Sequence, residues 1–335
     1  MSLEQLNIIH HLENNTAYSH PAYDIRILET HISWILLTGP FTYKVKKEVK
    51  FGKVLDFSNL LLRKKYCKKE LMLNKLLCGN MYQSVVKVIQ ENGIFKFAEL
   101  NEKGEPLEYA VKMIEIPQKF RMDNLVQTGN INKRTIGYLI DILIKFHNSS
   151  KTNHKISKYA LPTIMRKKFI ENFETLSKVG TIDPLIEDKI NSFLENNYTL
   201  FYQRIQESKI RDIHGDLYLK NIFIIYDKFY LYDRIEFNDT LRYADVTEDV
   251  AHLVMDLDFH QRNDLSKFLI KEYVQKSHDE NMSKLIYFMM CYKACVRAKV
   301  SFFRAQEVDT KNKKIAHVKE AKKHLEIAKK YIKFF

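Results

Sequence analysis

Glycine and proline are scarce, at nine and six of 335 residues. With so few chain breakers and no low-complexity stretch, no flexible linker between domains stands out. No run approaches the roughly 18 apolar residues needed to span a bilayer. The N-terminal MSLEQLNIIHHLENN has no basic region followed by a long apolar one, so no secretory leader is expected. The four cysteines (67, 78, 291 and 295) show no CxxC spacing. Cys291 and Cys295 are four apart in a helical pattern and read as buried thiols. Together these absences point to a cytoplasmic chain with reduced cysteines.

What is present is ample for a core. Hydrophobic residues make up 45% and aromatics 12%, which argues against disorder. The length allows one large domain or two smaller ones. The net charge is +13 and unevenly placed: from Asp309 to Phe335 there are nine lysines against three acidic residues. In that tail Ile315, Val318, Ala321, Leu325, Ala328, Ile332 and Phe335 recur at spacings of three and four. This predicts an amphipathic helix with its lysines in water, a reading preferred here to a nucleic-acid surface.

The pattern changes along the chain. From about 30 to 115, short β-branched and aromatic runs alternate with turn residues. ISWILLTG and FTYKVKK, broken at Gly39-Pro40, read as a hairpin. SVVKVIQENGIFKFAEL reads as two strands around Asn92-Gly93, and EYAVKMIEI as another. Between them Ser58–Leu77 has helical spacing through Leu61, Leu62, Tyr66, Leu73, Leu76 and Leu77. Beyond about 120 the reading is mostly helical, with helices through Ile136–Phe146, Ile186–Leu194 and Tyr287–Phe303. One β-rich island, IFIIYDKFYLYD, reads as a hairpin turning near Asp227-Lys228. The fold class expected is α+β and bilobal, kinase-like: a small β-rich lobe at 20–117 and a larger helical lobe at 118–335.

The strongest chemical signal is HGDLYLKN, His214 to Asn221, with H-x-D-x-x-x-x-N spacing. A hydroxyl nucleophile needs an acceptor for its proton, a role suited to Asp216. An amide oxygen five residues on can bind a metal without adding negative charge, which suits Asn221. His214 would brace the loop. Asp233 ends the strand that follows the loop by one hairpin. With Asn221 it makes a donor set fitting Mg²⁺, which takes few carboxylates and keeps water and phosphate oxygens. Upstream, Lys44 and Lys46 fall on one face of a strand. Lys46, the deeper, is the expected phosphate ligand, with Glu70 on the one helix of that lobe as its partner.

These segments together resemble the aminoglycoside phosphotransferase family, in the protein-kinase-like superfamily that includes choline kinases. The bacterial branch called "aminoglycoside phosphotransferase family enzyme" is the nearest match. The resemblance runs from about Tyr23 to Arg304, through THISWILLTG, YKVKK, LDFSNLLLRKKYCKKELMLN, HGDLYLKN, LYDRIEFN, ADVTEDVAHLVMDLD and YKACVRAKV. It implies Asp216 as catalytic base, Asn221 and Asp233 as magnesium ligands, and Lys46 with Glu70 as phosphate clamp. It also implies adenine binding along Met113–Ile116 and a bracing or capping role for Asp245 and Asp249. The chain departs from the pattern in three places. No Gly-rich loop covers the phosphates, only Gly39. Arg-Ile-Glu follows Asp233, leaving Glu236 either near the metal or facing outward. No G-x-x-x-x-G-K-[ST] occurs, so the P-loop domain that follows in some members is not expected within this chain.

The function expected is an ATP- or GTP-dependent kinase acting on a small-molecule hydroxyl. Fold does not decide the acceptor. Polycationic aminoglycosides require a strongly acidic site, and ADVTEDVAHLVMDLD is acidic, but a sugar, polyol or other hydroxyl metabolite fits as well. A non-catalytic nucleotide-binding or regulatory module is the alternative. A protein kinase is disfavoured by the absence of an obvious activation segment between Asp233 and Asp245.

Overall fold

A computed structural model describes residues 2–52, 54–308 and 310–335. Met1, Lys53 and Asp309 lie outside the described residues; they include the first residue of the N-terminal segment and of the basic tail read above. The chain forms two compact units, one of residues up to Phe120 with Lys228–Asp239, the other of Arg121–Asp227 with Thr240–Phe335. The α+β bilobal class expected from the sequence is the one adopted.

The first unit opens with α1 (Leu3–His11), then β1 (Arg26–Glu29), β2 (Ser33–Leu37), β3 (Phe41–Lys46), the short pair β4 (Lys50–Phe51) and β5 (Leu55–Asp56), α2 (Leu60–Cys78), β6 (Tyr82–Glu91), β7 (Ile94–Glu99) and β8 (Glu108–Ile114). Six strands form one sheet in the order β1-β2-β3-β8-β6-β7, every pairing antiparallel. Strand alternation divides β3 between two faces. Tyr43 and Val45 join Trp34, Leu36, Ile8, Ile9 and Leu12 in one core. Lys44 and Lys46 point to the other face, where Cys67 and Cys78 of α2 pack with Tyr82, Tyr109 and Val111.

Two elements of this unit lie outside the expected lobe boundaries or strand list. Helix α1 precedes residue 20, yet it supplies core residues and pins β3: Gln5 Nε2 donates to the Lys46 carbonyl at 2.9 Å and to Glu108 at 2.6 Å. Strand β1 is an edge strand with a mostly exposed face, so it lacks the alternation that betrays a half-buried strand. Helix α2 is where the spacing placed it, but its buried face is not the leucine stripe. Leu61 and Leu76 are exposed, while Arg63, Cys67, Glu70, Leu73, Asn74 and Cys78 face inward.

The second unit is helical. It contains α3 (Met122–Gln127), α4 (Lys133–Ser149), α5 (His154–Ser157), α6 (Pro162–Val179), α7 (Pro184–Asn196) and α8 (Tyr198–Gln206). Four short strands follow, β9 (Ile210–Asp212), β10 (Ile222–Ile225), β11 (Lys228–Leu231) and β12 (Tyr243–Asp245), of which β11 belongs to the first unit. The chain closes with α9 (Thr247–Phe259), α10 (Asn263–Ser277), α11 (Met282–Glu307) and α12 (Lys311–Tyr331). The basic tail is thus helical as its periodicity predicts. Ala321, Ala328 and Tyr331 are buried, although Ile315 is exposed. All four cysteines are free and buried. Among the described residues no helix is long and apolar enough to cross a membrane.

One close approach limits this unit. A Cβ built on Gly180, which follows α6, would meet the buried Phe302 ring of α11 at 2.3 Å. Gly180→Ala is expected to cost about 1–3 kcal/mol through overpacking. The reading is a lower urea midpoint with an unchanged slope; an unmoved midpoint would show that Phe302 yields freely.

Candidate active site

In the sheet lobe, β3 and α2 build a dense charge cluster. Residues four apart on a helix share a face, so Glu70, Asn74 and Cys78 line up along α2. Glu70 takes both lysines of β3: Lys44 donates to one carboxylate oxygen at 2.9 Å, Lys46 to the other at 2.6 Å. Asn74 accepts the Arg234 N–H at 2.9 Å, and the Cys78 thiol donates to the Leu231 carbonyl at 3.1 Å. The helix thereby holds the segment carrying Asp233 and Glu236. Asp233 has φ +64°, a left-handed backbone that aspartate tolerates better than most residues.

The two lysines differ in what else they meet. Lys44 also pairs with Asp233, whose side chain is about half exposed at 48%. Lys46 also pairs with Glu236 and is sealed at 0% exposure. Burial pushes the Glu70 carboxyl up, but the two ammonium groups outweigh it and hold it below the usual range. For Glu236 burial wins, and its carboxyl is raised despite Lys46. Glu236 therefore does not face outward; it is an interior partner of Lys46.

In the helical lobe the loop His214–Asn221 is tied from beneath. Asp249, on the first turn of α9, accepts the backbone N–H groups of His214 at 2.8 Å and Gly215 at 2.9 Å. His147 donates to the same carboxylate at 3.3 Å and accepts from the Tyr273 hydroxyl at 2.6 Å. Burial raises the Asp249 carboxyl, but the hydrogen bonds from His147 and the loop amides outweigh it and hold it low. Gly215 has φ +89°, a conformation open to glycine, and it delivers Asp216 to the surface of the loop. The Asp216 side chain is 37% exposed, with His252 Nδ1 at 3.6 Å. Burial, with the nearby Lys293 and Arg297, pushes His252 well below its ordinary value, so it is neutral beside the carboxylate. Asn221 donates its amide to the Asp216 carbonyl at 2.9 Å. That orientation leaves the Asn221 side-chain oxygen for a cation, which suits a magnesium ligand.

Other residues expected from the sequence take definite places. His214 is fully buried, in keeping with bracing rather than proton transfer. Asp245 takes a bidentate contact from Arg204 and caps α9 through Thr247 N–H at 2.8 Å. Met113 and Ile116 are buried, so only their backbone could address a ligand. The intervening Glu115 takes the Thr38 and Gly39 N–H groups at 2.9 and 3.0 Å, occupying the turn at Gly39. Sequence reasoning missed the group beneath the loop: Glu248 pairs with Lys168 at 2.8 Å and Lys293 at 3.0 Å, and Arg297 lies 4.4 Å over the Tyr218 ring. The signal was Lys293 and Arg297, two of the three cations of YKACVRAKV, four apart in a stretch rich in small and apolar residues.

No protein-family model matches the chain. Uncharacterized proteins of Mycobacterium tuberculosis (strain H37Rv) and Mycobacterium bovis are each 30% identical over 300 residues, covering 87% of this chain. The chain spans 58% of the length of those relatives. Among solved structures, a choline kinase from Cryptosporidium parvum superposes with TM-score 0.54 at 11% identity, over 98% of this chain and 95% of that one. An ethanolamine kinase from Plasmodium vivax gives 0.50 at 12%, over 91% and 82%. A GDP complex of an aminoglycoside 2'-phosphotransferase mutant gives 0.50 at 13%, over 96% and 97%.

Proposed function

We propose that this chain, which has the fold of the choline kinases and aminoglycoside phosphotransferases, transfers a phosphoryl group from ATP or GTP to the hydroxyl of a small molecule. The observation that carries the reading is the loop geometry. A half-exposed Asp216 follows a left-handed glycine, and the loop's amides are held by the buried Asp249. Such a loop is costly to build for structure alone, since it buries a carboxylate to position another.

In this reading Asp216 orients the acceptor hydroxyl and takes its proton as the oxygen attacks the terminal phosphorus. Magnesium, held by Asn221 and Asp233, would supply neutralisation of the phosphate charge. Between the two lysines, Lys44 is the better phosphate ligand, because it already contacts the half-exposed Asp233. Lys46, chosen from strand depth, is enclosed by two buried carboxylates, and that depth suits it to holding Glu70 in place. Met113–Ile116 would receive the base through backbone groups.

The test is thermal denaturation with Mg²⁺ and ATP, ADP or GTP. A ligand that binds only the native state raises stability by about 2.7 kcal/mol at one hundred times its dissociation constant. The native chain is expected to gain stability, and Asp233→Ala to lose the metal-dependent part. Lys44→Met should weaken nucleotide binding and cost some unliganded stability, because Glu70 then keeps only Lys46, whereas Lys46→Met should chiefly destabilise. If no triphosphate shifts the transition, the non-catalytic module becomes the correct reading.

A further inference from the structure

The acidic segment ADVTEDVAHLVMDLD, weighed above against a polycationic acceptor without deciding for one, is occupied within the protein. Asp245 is taken by Arg204, Glu248 by Lys168 and Lys293, and Asp249 by the loop amides. Asp256 accepts the Leu219 N–H at 2.9 Å, and Asp258 accepts from Ser266 and Tyr331. These five carboxylates are engaged inside the lobe.

Beside the same loop lies a cavity of about 290 Å³, lined by Tyr218 and Lys220 of the loop together with Arg297, His260 and His324. Arg297 is only 6% exposed. Its guanidinium rests on the Tyr218 ring, but no carboxylate lies within ion-pair distance and no hydrogen-bond acceptor is assigned to it among the described residues. A guanidinium has five N–H donors. Burial disfavours the charge, and Tyr218, Asp216, Asp256 and Glu320 offset it only through space, so the guanidinium's donors are left for a direct partner in the cavity. The ring nitrogens His260 Nδ1 and His324 Nδ1 are also buried without partners. Of the cavity's three acids, Asp123 is paired with Arg121 at 2.6 Å, Asp256 accepts from the loop backbone, and Glu320 faces His317 at 3.5 Å. Tyr218 stacks on His252, which lies against Asp216, so the cavity and the attack point share one loop.

We infer that this cavity binds an oxyanion, a carboxylate or phosphate, borne by the hydroxyl acceptor, with Arg297 as its principal ligand. The inference rests on the kinase reading for the identity of the acceptor, and it makes the substrate a hydroxy acid or phosphorylated alcohol. The guanidinium would grip two oxygens as a fork, while Lys220 and the histidines complete the shell. Arg297 then fixes one end of the molecule while its hydroxyl meets Asp216. Orientation of this kind is what a phosphotransferase must supply.

The experiment keeps the nucleotide site filled with Mg·ADP, which leaves only the terminal-phosphate position open there, and titrates the full chain and Arg297→Gln with inorganic phosphate and, separately, acetate, so that binding at that position shows as an effect independent of Arg297. Saturable thermal stabilisation is expected from one or both, and the stronger identifies the anion class. Arg297→Gln should weaken it at least tenfold, with Arg297→Lys intermediate. Without anion, Arg297→Gln should melt little lower than the native chain, because the buried charge it removes has no direct ion pair. No anion effect, an equal effect in Arg297→Gln, or a clear loss of unliganded stability in that variant overturns the inference and makes Arg297 structural. Transfer from labelled ATP to mixed hydroxy acids should exceed transfer to matched neutral polyols; the opposite preference also overturns it. Failure of Mg·ADP itself to bind would instead remove the kinase reading, and the anion titration without nucleotide separates the two failures.

Discussion

If the proposed reading holds, Asp216→Asn is expected to lower phosphate transfer by about 10²- to 10⁴-fold, the usual contribution of a positioned general base, and to leave Mg·nucleotide binding unchanged. Asparagine keeps the shape of the side chain but cannot accept the hydroxyl proton. The neighbouring His252 is neutral and fully buried, held there against Tyr218, so it does not replace the lost carboxylate at the surface of the loop. The measurement pairs label transfer from ATP into hydroxyl metabolites with nucleotide titration of the same variant. Transfer above a tenth of the native rate would remove Asp216 from its role. Parallel loss of nucleotide binding would show that the substitution had disturbed the loop instead.

Arg204→Leu has the largest expected effect on stability. Arg204 is fully buried and holds Asp245 through two contacts of 2.7 Å, pairs with Asp279 and reaches Thr247 at 3.1 Å. Removing it leaves Asp245 with only the Thr247 hydrogen bonds and Asp279 with only Lys209 at 3.4 Å and the Met282 N–H, and breaking such a buried pair costs about 3–5 kcal/mol. That is a large part of the ~5–15 kcal/mol that holds a native domain. The pH dependence separates this mechanism from simple loss of volume. In the native chain burial raises the Asp245 carboxyl, but Arg204 outweighs it and holds it below its ordinary value. Its contribution is therefore present above about pH 4 and lost as pH falls through the lowered value. In the variant burial, the largest influence, is opposed only by the Thr247 hydrogen bonds, and it raises that carboxyl. The folded state then binds the proton more tightly than the unfolded one, so stability rises as pH falls. Urea midpoints at pH 7 and pH 5 should show the gap between variant and native narrowing on acidification. A gap that is constant or widens would rule out stranded carboxylates as the cause.

Much of the site was legible because its residues sit at fixed local spacings. His214, Asp216 and Asn221 belong to one loop, and the alternation of β3 puts Lys44 and Lys46 on a common face whatever surrounds them. The hairpin strands and the long helices α4, α7 and α11 carry strong periodicity and appear where it places them. Helix α1 and strand β1 were missed for different reasons. The short helix makes its case only by packing on a sheet formed later in the chain, and the edge strand has no buried face to pattern.

Helix α2 shows the limit most clearly. Its spacing predicts a helix, and its leucines suggest the buried side. Glu70 and Asn74 nevertheless face inward, because partners from β3 and the Asp233 segment compensate their burial. A periodicity argument counts apolar residues and cannot see such partners. The choice between Lys44 and Lys46 has the same origin: depth in the strand is local, but the carboxylate each meets comes from nearly 190 residues away.

What the sequence determined by itself is therefore the class of fold, the order of its elements and the loop bearing Asp216, all consequences of short-range period and spacing. Tertiary structure alone decided which lysine is sealed, that the acids of α9 are spent on the interior, and that Arg297 stands over Tyr218 without a direct ion pair. Those outcomes depend on which charges distant segments bring together as water is excluded, and a buried charge takes its meaning from its neighbours.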